Sequence, residues 1–165
     1  PDLTVPADEI FSAIAFQVGS ASATDNCDSE VSVVYDGEER TDGDCEDSYT
    51  LTRTWTATDN CGNATTLSQT ITVIDTTAPE LTIPADETVE CDSVPSVGDA
   101  SATDNCDGDV DIKYDGEVRT DGDCENSYTL TRTWTATDNC GNETKSSQTI
   151  TVIDTTDPVI NVTTD

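Results

Sequence analysis

Tyr128-Thr-Leu-Thr-Arg-Thr-Trp-Thr-Ala-Thr-Asp-Asn-Cys-Gly-Asn142 is a stretch of fifteen residues that occurs a second time, unchanged, as Tyr49–Asn63. Its first ten residues alternate strictly, which is typical of a long β-strand because successive side chains point to opposite faces. Asp-Asn-Cys-Gly-Asn then supplies turn-forming residues, and a second alternating run leads to Asp154. The stretch therefore predicts a β-hairpin. The strand face that can bury against a second sheet carries Leu130, Arg132, Trp134 and Ala136.

The rest of the chain is organised as two copies of one repeat. Three cysteines of the first copy return 79 residues later in the second. Repetition of this kind indicates two small tandem domains, which we place at residues 1–78 and 79–157, with 158–165 as the first strand of a following repeat. The copies diverge most at residues 9–18, where Ser12 aligns with Cys91. In both copies an Asp-Gly pair, Asp36-Gly37 and Asp115-Gly116, predicts a turn.

Charge and cysteine content limit the class of protein. Thirty-five acidic residues against six basic ones give a net charge of −29, which repels nucleic acid and anionic membranes. Acidic chains with few aromatic residues are often disordered, but Trp, Tyr and Cys at fixed positions in alternating runs favour a folded chain. Seven cysteines without any His or Met indicate an oxidising, extracellular environment. The chain shows no signal peptide and no membrane-spanning run, and we expect it to be part of a longer secreted protein.

Short strands separated by turn residues favour an immunoglobulin-like sandwich. The segments Thr133–Asn142, Thr103–Asp107 and Asp75–Pro79 resemble HYR-type immunoglobulin-like repeats. In particular they are similar to the tandem repeats of giant bacterial surface adhesins, the SprB-like adhesins of gliding motility. The resemblance covers nearly the whole chain and departs from the pattern at residues 9–18. It implies an all-β fold with two tandem immunoglobulin-like antiparallel β-sandwich domains, end to end, and it implies no catalytic residues.

The expected sandwich suggests how the cysteines pair. Disulfide partners need Cα atoms about 4.4–6.8 Å apart, so they must share one end of a sandwich. Strand directions put the first and third cysteines of a repeat at one end, and the second and fourth at the other. Cys45 is left without a partner, because Ser12 stands where Cys91 stands in the other copy, and we predict a free thiol or a bridge to another chain. The predicted disulfides are Cys91–Cys124, Cys106–Cys140 and Cys27–Cys61.

Carboxylates of the predicted loops are candidate calcium ligands. A sandwich with the expected disulfides would bring the pairs Asp104-Asn105 and Asp138-Asn139 together, and Asp75 should reach the same place. Oxygen ligands of this kind suit Ca²⁺, which takes six to eight of them. The alternative is that Asp-Asn and Asn-Cys-Gly-Asn form hydrogen-bonded turns without metal. Further candidate ligands are Asp107 and Asp109, with Asp25 and Asp59 as the first-repeat counterparts of Asp104 and Asp138.

Two other residue sets have candidate roles. Arg53 and Arg132 have the parity of core residues, so we expect each to lay its stem along the core and pair with an acid at the rim. Family resemblance implies O-glycosylation of the type found in gliding bacteria at Thr76, Thr155 and Ser93.

An enzyme is disfavoured, because the chain has no His and no nucleophile beside a base. Repetition of every acidic motif favours a structural stalk or fibre segment of a secreted or cell-surface adhesin, stapled by disulfides and stiffened by calcium. The alternative is a carbohydrate- or partner-binding module, for which the copy-specific residues 10–16 are the evidence. The expected partners are neighbouring repeats, other copies in a fibre and surface glycans; nucleic acid and direct membrane insertion are not expected.

Overall fold

The computed structural model describes residues 3–6 and 20–162, and within them the fold is all-β. No helix occurs among these residues, and hence none that could cross a membrane. The strands of the described residues are β1 (Leu3–Pro6), β2 (Ser32–Asp42), β3 (Tyr49–Thr58), β4 (Ala64–Ile74), β5 (Glu80–Thr82), β6 (Glu87–Glu90), β7 (Ser101–Thr103), β8 (Asp111–Asp121), β9 (Tyr128–Thr137) and β10 (Glu143–Ile153).

The predicted hairpin is confirmed in both repeats. β3 and β4 pair antiparallel with Leu51 opposite Ile71, and β9 and β10 pair in the same register with Leu130 opposite Ile150. The Asp-Asn-Cys-Gly-Asn sequence forms the connecting turn each time, because its glycine adopts a positive φ of 85° at Gly62 and 86° at Gly141.

The sheets of the two repeats share one strand pattern. The first repeat forms a four-stranded sheet in the order β1-β4-β3-β2, and the second forms β6-β10-β9-β8. In the second repeat a small sheet of β5 and β7 completes the sandwich, with β5 packed against β9 and β10. This is the predicted immunoglobulin-like all-β class.

Two details of the sheets differ from the sequence prediction. β1 pairs with β4, and β6 with β10, in parallel rather than antiparallel orientation. The reason in the second repeat is that the chain crosses from the small sheet to the large one between β5 and β6, and so enters it running in the direction of β10. The Asp-Gly pairs form no turn: β2 and β8 run through them with a bulge, at which Gly37 and Gly116 have φ of 134° and 122°.

Apolar residues of the hairpins form the cores. Ile71 and Val73 pack with Tyr49, Leu51 and Cys106, whereas Leu130, Ile150 and Val152 pack with Val89, Val94 and Tyr128. Trp134 is buried, with its ring 5.4 Å from that of Tyr114.

The two buried arginines meet the expectation from the sequence. The Nε atoms of Arg53 and Arg132 donate to Glu38 and Glu117 at 2.6 and 2.7 Å. Arg132 also donates to the carbonyl oxygens of Ser96 and Pro95, at 3.0 and 2.8 Å. Each guanidinium is therefore buried with its charge paired.

The chain divides into two compact units that differ from the sequence repeats in one respect. The first unit contains the residues up to Ala78 together with two loops of the second repeat, Asp104–Asp109 and Asp138–Asn142. The second unit contains Pro79–Thr103, Val110–Thr137 and the residues from Glu143 onward. Residues 158–162 form no strand. The candidate metal centre, around Asp75 and Asp104, lies within the first unit.

Candidate metal centre

Three aspartates of the first unit each come directly after the last residue of a strand. Asp75 follows β4, Asp104 follows β7 and Asp138 follows β9. Asp75 and Asp138 are buried, with 8% and 6% of their surface exposed, and Asp104 is half-buried. All three aspartates belong to the first unit, and the sequence prediction that they form one metal site stays a prediction.

One oxygen of each carboxylate holds the local turn. Asp104 Oδ1 accepts from the amides of Cys106 and Asp107 at 2.8 and 3.0 Å. Asp75 Oδ1 accepts from the amide of Thr77 at 3.1 Å. Asp138 Oδ1 accepts from the amides of Cys140 and Asn142 at 2.9 and 2.8 Å. The turn-forming role that the sequence offered as an alternative to metal binding is thus present.

The second carboxylate oxygen, Oδ2, has a hydrogen-bond partner in one of the three aspartates and none, within the part of the chain that the structure describes, in the other two. Asp138 Oδ2 accepts from the Asn142 side-chain amide at 2.8 Å. Asp75 Oδ2 and Asp104 Oδ2 are buried and have no hydrogen-bond partner among the described residues. Ligand atoms of Asp75, Asp104 and Cys106 lie within 4.8 Å of one another. Turn formation therefore leaves two buried carboxylate oxygens unexplained, although such atoms are normally paired.

The electrostatics around Asp75 disfavour a group of ionised carboxylates without a bound cation. Burial raises the pKa of Asp75 above its ordinary value, and the negative charges of Asp104, Asp138 and Asp47 raise it further. Each of these effects disfavours the ionised carboxylate. A bound cation would reverse that balance, because it neutralises the mutual repulsion and supplies a partner to both unpaired oxygens.

The donor atoms suit a hard cation. Asp75, Asp104 and Asp138 would hold it through oxygen, which Ca²⁺ prefers, and Asp138 keeps acceptor capacity beyond its turn bonds. Cys106 contributes the sulfur of the cluster, but that atom accepts from the Asn105 side-chain amide at 3.0 Å. Asp75 and Asp104 therefore offer two oxygens that suit a hard cation such as Ca²⁺, with Cys106 as a soft neighbour and the charge of Asp138 close enough to raise the pKa of Asp75.

The other predicted ligands are engaged elsewhere. Asp107 accepts from the amides of Asp109 and Asn139, at 2.9 and 2.8 Å, and so braces the two loops against each other. The side-chain amide of Asn139 donates to Asp47 Oδ2 at 2.9 Å. Asp47 was not among the predicted ligands, although one sequence signal marks it: it lies two residues from Cys45, and the other repeat has Asn126 at this position.

The first-repeat counterparts Asp25 and Asp59 form the same turns and line one open pocket, where the described residues include no buried carboxylate like that of Asp75. Asp25 accepts from the amides of Cys27 and Asp28, and these bonds lower its pKa. Asp59 accepts from Asn63, through side chain and backbone, and its pKa is lowered for that reason. Asp25 is exposed and Asp59 is partly exposed. These two residues show what the motif does by itself, which is to make a turn.

The disulfide of the structure contradicts two predictions. Cys45 is bonded to Cys140, with Cα atoms 5.0 Å apart and a sequence separation of 95. Cys45 is therefore not a free thiol, and Cys106–Cys140 does not form. The prediction was wrong because it sought partners only within one sandwich, whereas the loop of Cys140 packs with the first unit.

The other two predicted bridges are also not formed. Cys27, Cys61, Cys91 and Cys124 are exposed free thiols. Cys91 follows β6 and Cys124 precedes β9, and β10 lies between these strands. β6 and β9 are thus two strand spacings apart, about 9–10 Å, so the two cysteines could meet only if the loop of Cys124 folded back across β10. Cys27 and Cys61 lie on loops joined by an Asp28–Asn60 bond of 2.8 Å, but each sulfur contacts the side chain of its preceding Asn, Asn26 or Asn60.

The predicted glycosylation residues lie on the surface. Thr76, Ser93 and Thr155 are exposed. The Ser93 hydroxyl donates to Asp92 at 2.9 Å, and the Thr155 hydroxyl donates to Glu90. Their modification stays a prediction.

The cysteine spacing, the repeated turns and the strand pattern have a counterpart among known families. Residues 10–73 and 79–152 each match the HYR-like domain with four cysteines. The chain belongs to this family. The second HYR-like copy has all four cysteines, at 91, 106, 124 and 140, and the first has three, because Ser12 aligns with Cys91.

Solved structures similar to the two HYR-like copies are cadherin ectodomains. Drosophila N-cadherin EC1-4 aligns with 93% of this chain at 14% identity and a TM-score of 0.38. The protocadherin GammaB4 extracellular domain aligns with 62% at 19% identity and a TM-score of 0.34. The chain spans 47% and 20% of the lengths of these two proteins. No curated protein sequence matches the chain.

Proposed function

We propose that the chain is a structural segment of an extracellular adhesin, and that Ca²⁺ bound by Asp75, Asp104 and Asp138 stiffens it. The observation that carries the proposal is the pair of buried, unpaired oxygens, Asp75 Oδ2 and Asp104 Oδ2. A carboxylate oxygen buried without a partner destabilises the fold, and a divalent cation between two of them removes that penalty.

A stiffening role follows from where the three ligands lie in the sequence. Asp75 belongs to the short segment after β4, and Asp104 and Asp138 belong to two loops of the second repeat. A cation held by all three would fasten those loops to the end of β4, next to the Cys45–Cys140 bond. Fastening loops in this way limits local opening, which is what a load-bearing segment requires.

The extracellular location and the adhesin role rest on composition and family. Seven cysteines, one disulfide in the structure and a net charge of −29 suit an oxidising environment with abundant Ca²⁺. Among HYR-like proteins, the giant surface adhesins of gliding bacteria are the ones whose repeats these motifs resemble, and we propose that class. The chain would then be a non-enzymatic stalk that contacts neighbouring repeats and other copies in a fibre.

The alternative function, a glycan- or partner-binding module, depended on residues 10–16. They lie outside the described residues, so the stalk remains the function that we propose.

Calcium titration of the chelator-treated chain tests the proposal. We expect binding by calorimetry, and a rise in stability of about 2.7 kcal/mol when free Ca²⁺ is a hundred times its Kd. Asp104→Asn should abolish both effects. Asp25→Asn is the matched control, because Asp25 forms the same turn in the other repeat but is exposed and has no counterpart of the buried Asp75 beside it among the described residues, and it should leave both unchanged.

Two results would contradict calcium binding at this site. One is equal loss of affinity in Asp104→Asn and Asp25→Asn, which would mean nonspecific binding to an acidic surface. The other is tight binding of Zn²⁺ without binding of Ca²⁺, which would assign the site to a soft metal ligated by Cys106.

A further inference from the structure

The Cys45–Cys140 disulfide joins two loops that each have a near-identical counterpart in the other repeat. The first is Thr41–Ser48, which the second repeat reproduces as Thr120–Ser127 with a single change, Asp47 to Asn126. The backbone is also reproduced. The Gly43 amide donates to the Ser48 carbonyl at 2.7 Å, and the Gly122 amide donates to the Ser127 carbonyl at 2.8 Å. The loop of Cys124 therefore already has the conformation in which Cys45 forms its disulfide.

The loop on the other side of the bond is reproduced in the same way. Asp59–Asn63 is identical in sequence to Asp138–Asn142. The amides of Asp59 and Asp138 donate to the carbonyls of Asn63 and Asn142 at 3.0 and 3.2 Å. Cys61 therefore sits in the turn that, in the second repeat, presents Cys140 to Cys45.

The bonded and unbonded copies differ in exposure. Cys45 and Cys140 are half-buried, whereas Cys124 and Cys61 are exposed free thiols. The same difference holds for a neighbour in each loop pair: Asp75 is buried and its counterpart Asp154 is exposed. The chain thus carries one disulfide between two such loops, Cys45–Cys140. Each repeat also carries one equivalent loop whose cysteine, Cys61 or Cys124, is exposed and unbonded.

We propose that Cys124 forms a disulfide with the Cys61-type or Cys140-type cysteine of a further HYR-like copy, and that Cys61 accepts the Cys124-type cysteine of another. Each repeat would then be joined covalently to the next by a disulfide between the positions equivalent to Cys45 and Cys140. The two thiols lose two protons and two electrons as the S–S bond forms. A disulfide oxidant such as oxidised glutathione takes up the electrons and protons and is reduced to two thiols.

The one residue change between the loops is compatible with such a bond. Asn139 donates its side-chain amide to Asp47 Oδ2 beside the disulfide. At the proposed contact the counterparts are Asn60, which has the same amide, and Asn126, whose Oδ1 can accept in place of the Asp47 carboxylate. Asn126 uses its Nδ2 group toward Asp154 at 3.3 Å, so acceptance through Oδ1 needs no rearrangement there.

The further copy can come from another chain or from an adjoining repeat of the same polypeptide, and two experiments separate these sources. In the first, Cys61→Ser and Cys124→Ser chains are mixed in a glutathione redox buffer with chelator, so that calcium plays no part. Neither variant can form a Cys124–Cys61 bond with itself. We expect the mixture to give a disulfide-linked dimer above the background of either variant alone, with Cys124 joined to Cys61 by non-reducing peptide mapping.

In the second experiment residues 1–157 are followed directly by a second copy of residues 79–165, which tethers a third repeat. Peptide mapping should find Cys124 joined to the added copy of Cys140, and Cys45 still joined to the original Cys140. A bond in either experiment supports the proposal and identifies the source of the partner. Mapping that finds Cys124 with Cys91, Cys61 with Cys27, or the proposed bond in neither experiment overturns it. The outcome is independent of calcium titration, so failure of one does not imply failure of the other.

Discussion

Asp75 and Asp154 occupy the same position of two closely similar repeats, yet Asp75 is 8% exposed and Asp154 is exposed. Both carboxylates hold the same local turn, accepting from the amides of Thr77 and Thr156 at 3.1 and 3.2 Å. Sequence and turn geometry therefore do not decide the burial. What differs is the surroundings, because loops 104–109 and 138–142 belong to the unit of Asp75. The same local motif is a surface turn in one place and half of a candidate ligand set in the other.

Removal of the disulfide should destabilise the chain more than removal of an equivalent free thiol. We expect Cys45→Ser to cost about 2–5 kcal/mol, because the bond closes a loop of 95 residues. Cys124→Ser changes the same loop of the other repeat, where the thiol is free and exposed, and should cost less than about 0.5 kcal/mol. Denaturant unfolding of both variants under non-reducing conditions is the measurement. Equal costs would mean that the bond does not constrain the chain.

Because Arg132 is buried, replacing it with an uncharged residue should lower the stability of the chain strongly. Arg132→Met removes the partner of Glu117 and of two carbonyl groups, those of Pro95 and Ser96. We expect a loss of about 3–5 kcal/mol, because a partly buried charge is left unpaired. Lys113→Met is the control: its side chain is 73% exposed in its pair with Asp115, and that pair should contribute no more than about 1 kcal/mol.

The Arg132 prediction has a second arm that separates charge from packing. Combining Arg132→Met with Glu117→Gln removes the unpaired charge and should restore part of the lost stability. If the double variant is as unstable as the single one, the cost lies in the lost packing of the arginine stem and not in the electrostatics.

The core position of Trp134 is testable in the same way. Trp134 is 3% exposed and contacts Tyr114 through its ring, so Trp134→Ala should cost about 3–5 kcal/mol. Val118 on the neighbouring strand β8 is 66% exposed, and Val118→Ala should change stability by less than about 0.5 kcal/mol. Chemical denaturation followed by circular dichroism measures both. A small loss at Trp134 would reverse the assignment of faces on β9.

Features that depend on local pattern were predictable, and those that depend on which loops meet were not. The alternation of Tyr128–Thr137 was enough to assign the strand and its buried face, including the unusual inward Arg132. The Cys45–Cys140 bond was missed because two closely similar repeats give both of these cysteines an equivalent position in each, and sequence alone favoured a partner in the same sandwich. Asp47 was missed because its role depends on Asn139, 92 residues away.

Asp47 gives the sharpest test of the proposed calcium site, because its charge should act in opposite directions with and without the ion. Its carboxylate is one of the charges that, after burial, raise the pKa of Asp75. Asp47→Asn removes that charge but keeps an oxygen to accept from Asn139. Without calcium, we expect the variant to be more stable than the unmodified chain, since repulsion within the cluster falls.

With calcium, the effect of Asp47→Asn should reverse. Loss of one screened unit charge near a divalent cation should weaken binding about threefold to fivefold, or about 0.7–1 kcal/mol. Asn126→Asp makes the reverse exchange, adding one negative charge at the equivalent position of the second repeat. It should leave the calcium affinity unchanged. Calorimetric titration of the three proteins, with melting curves in chelator, measures both signs. A variant that is less stable in chelator and binds calcium as tightly as the unmodified chain would show that Asp47 acts only through its hydrogen bond to Asn139, and that its charge does not reach the site.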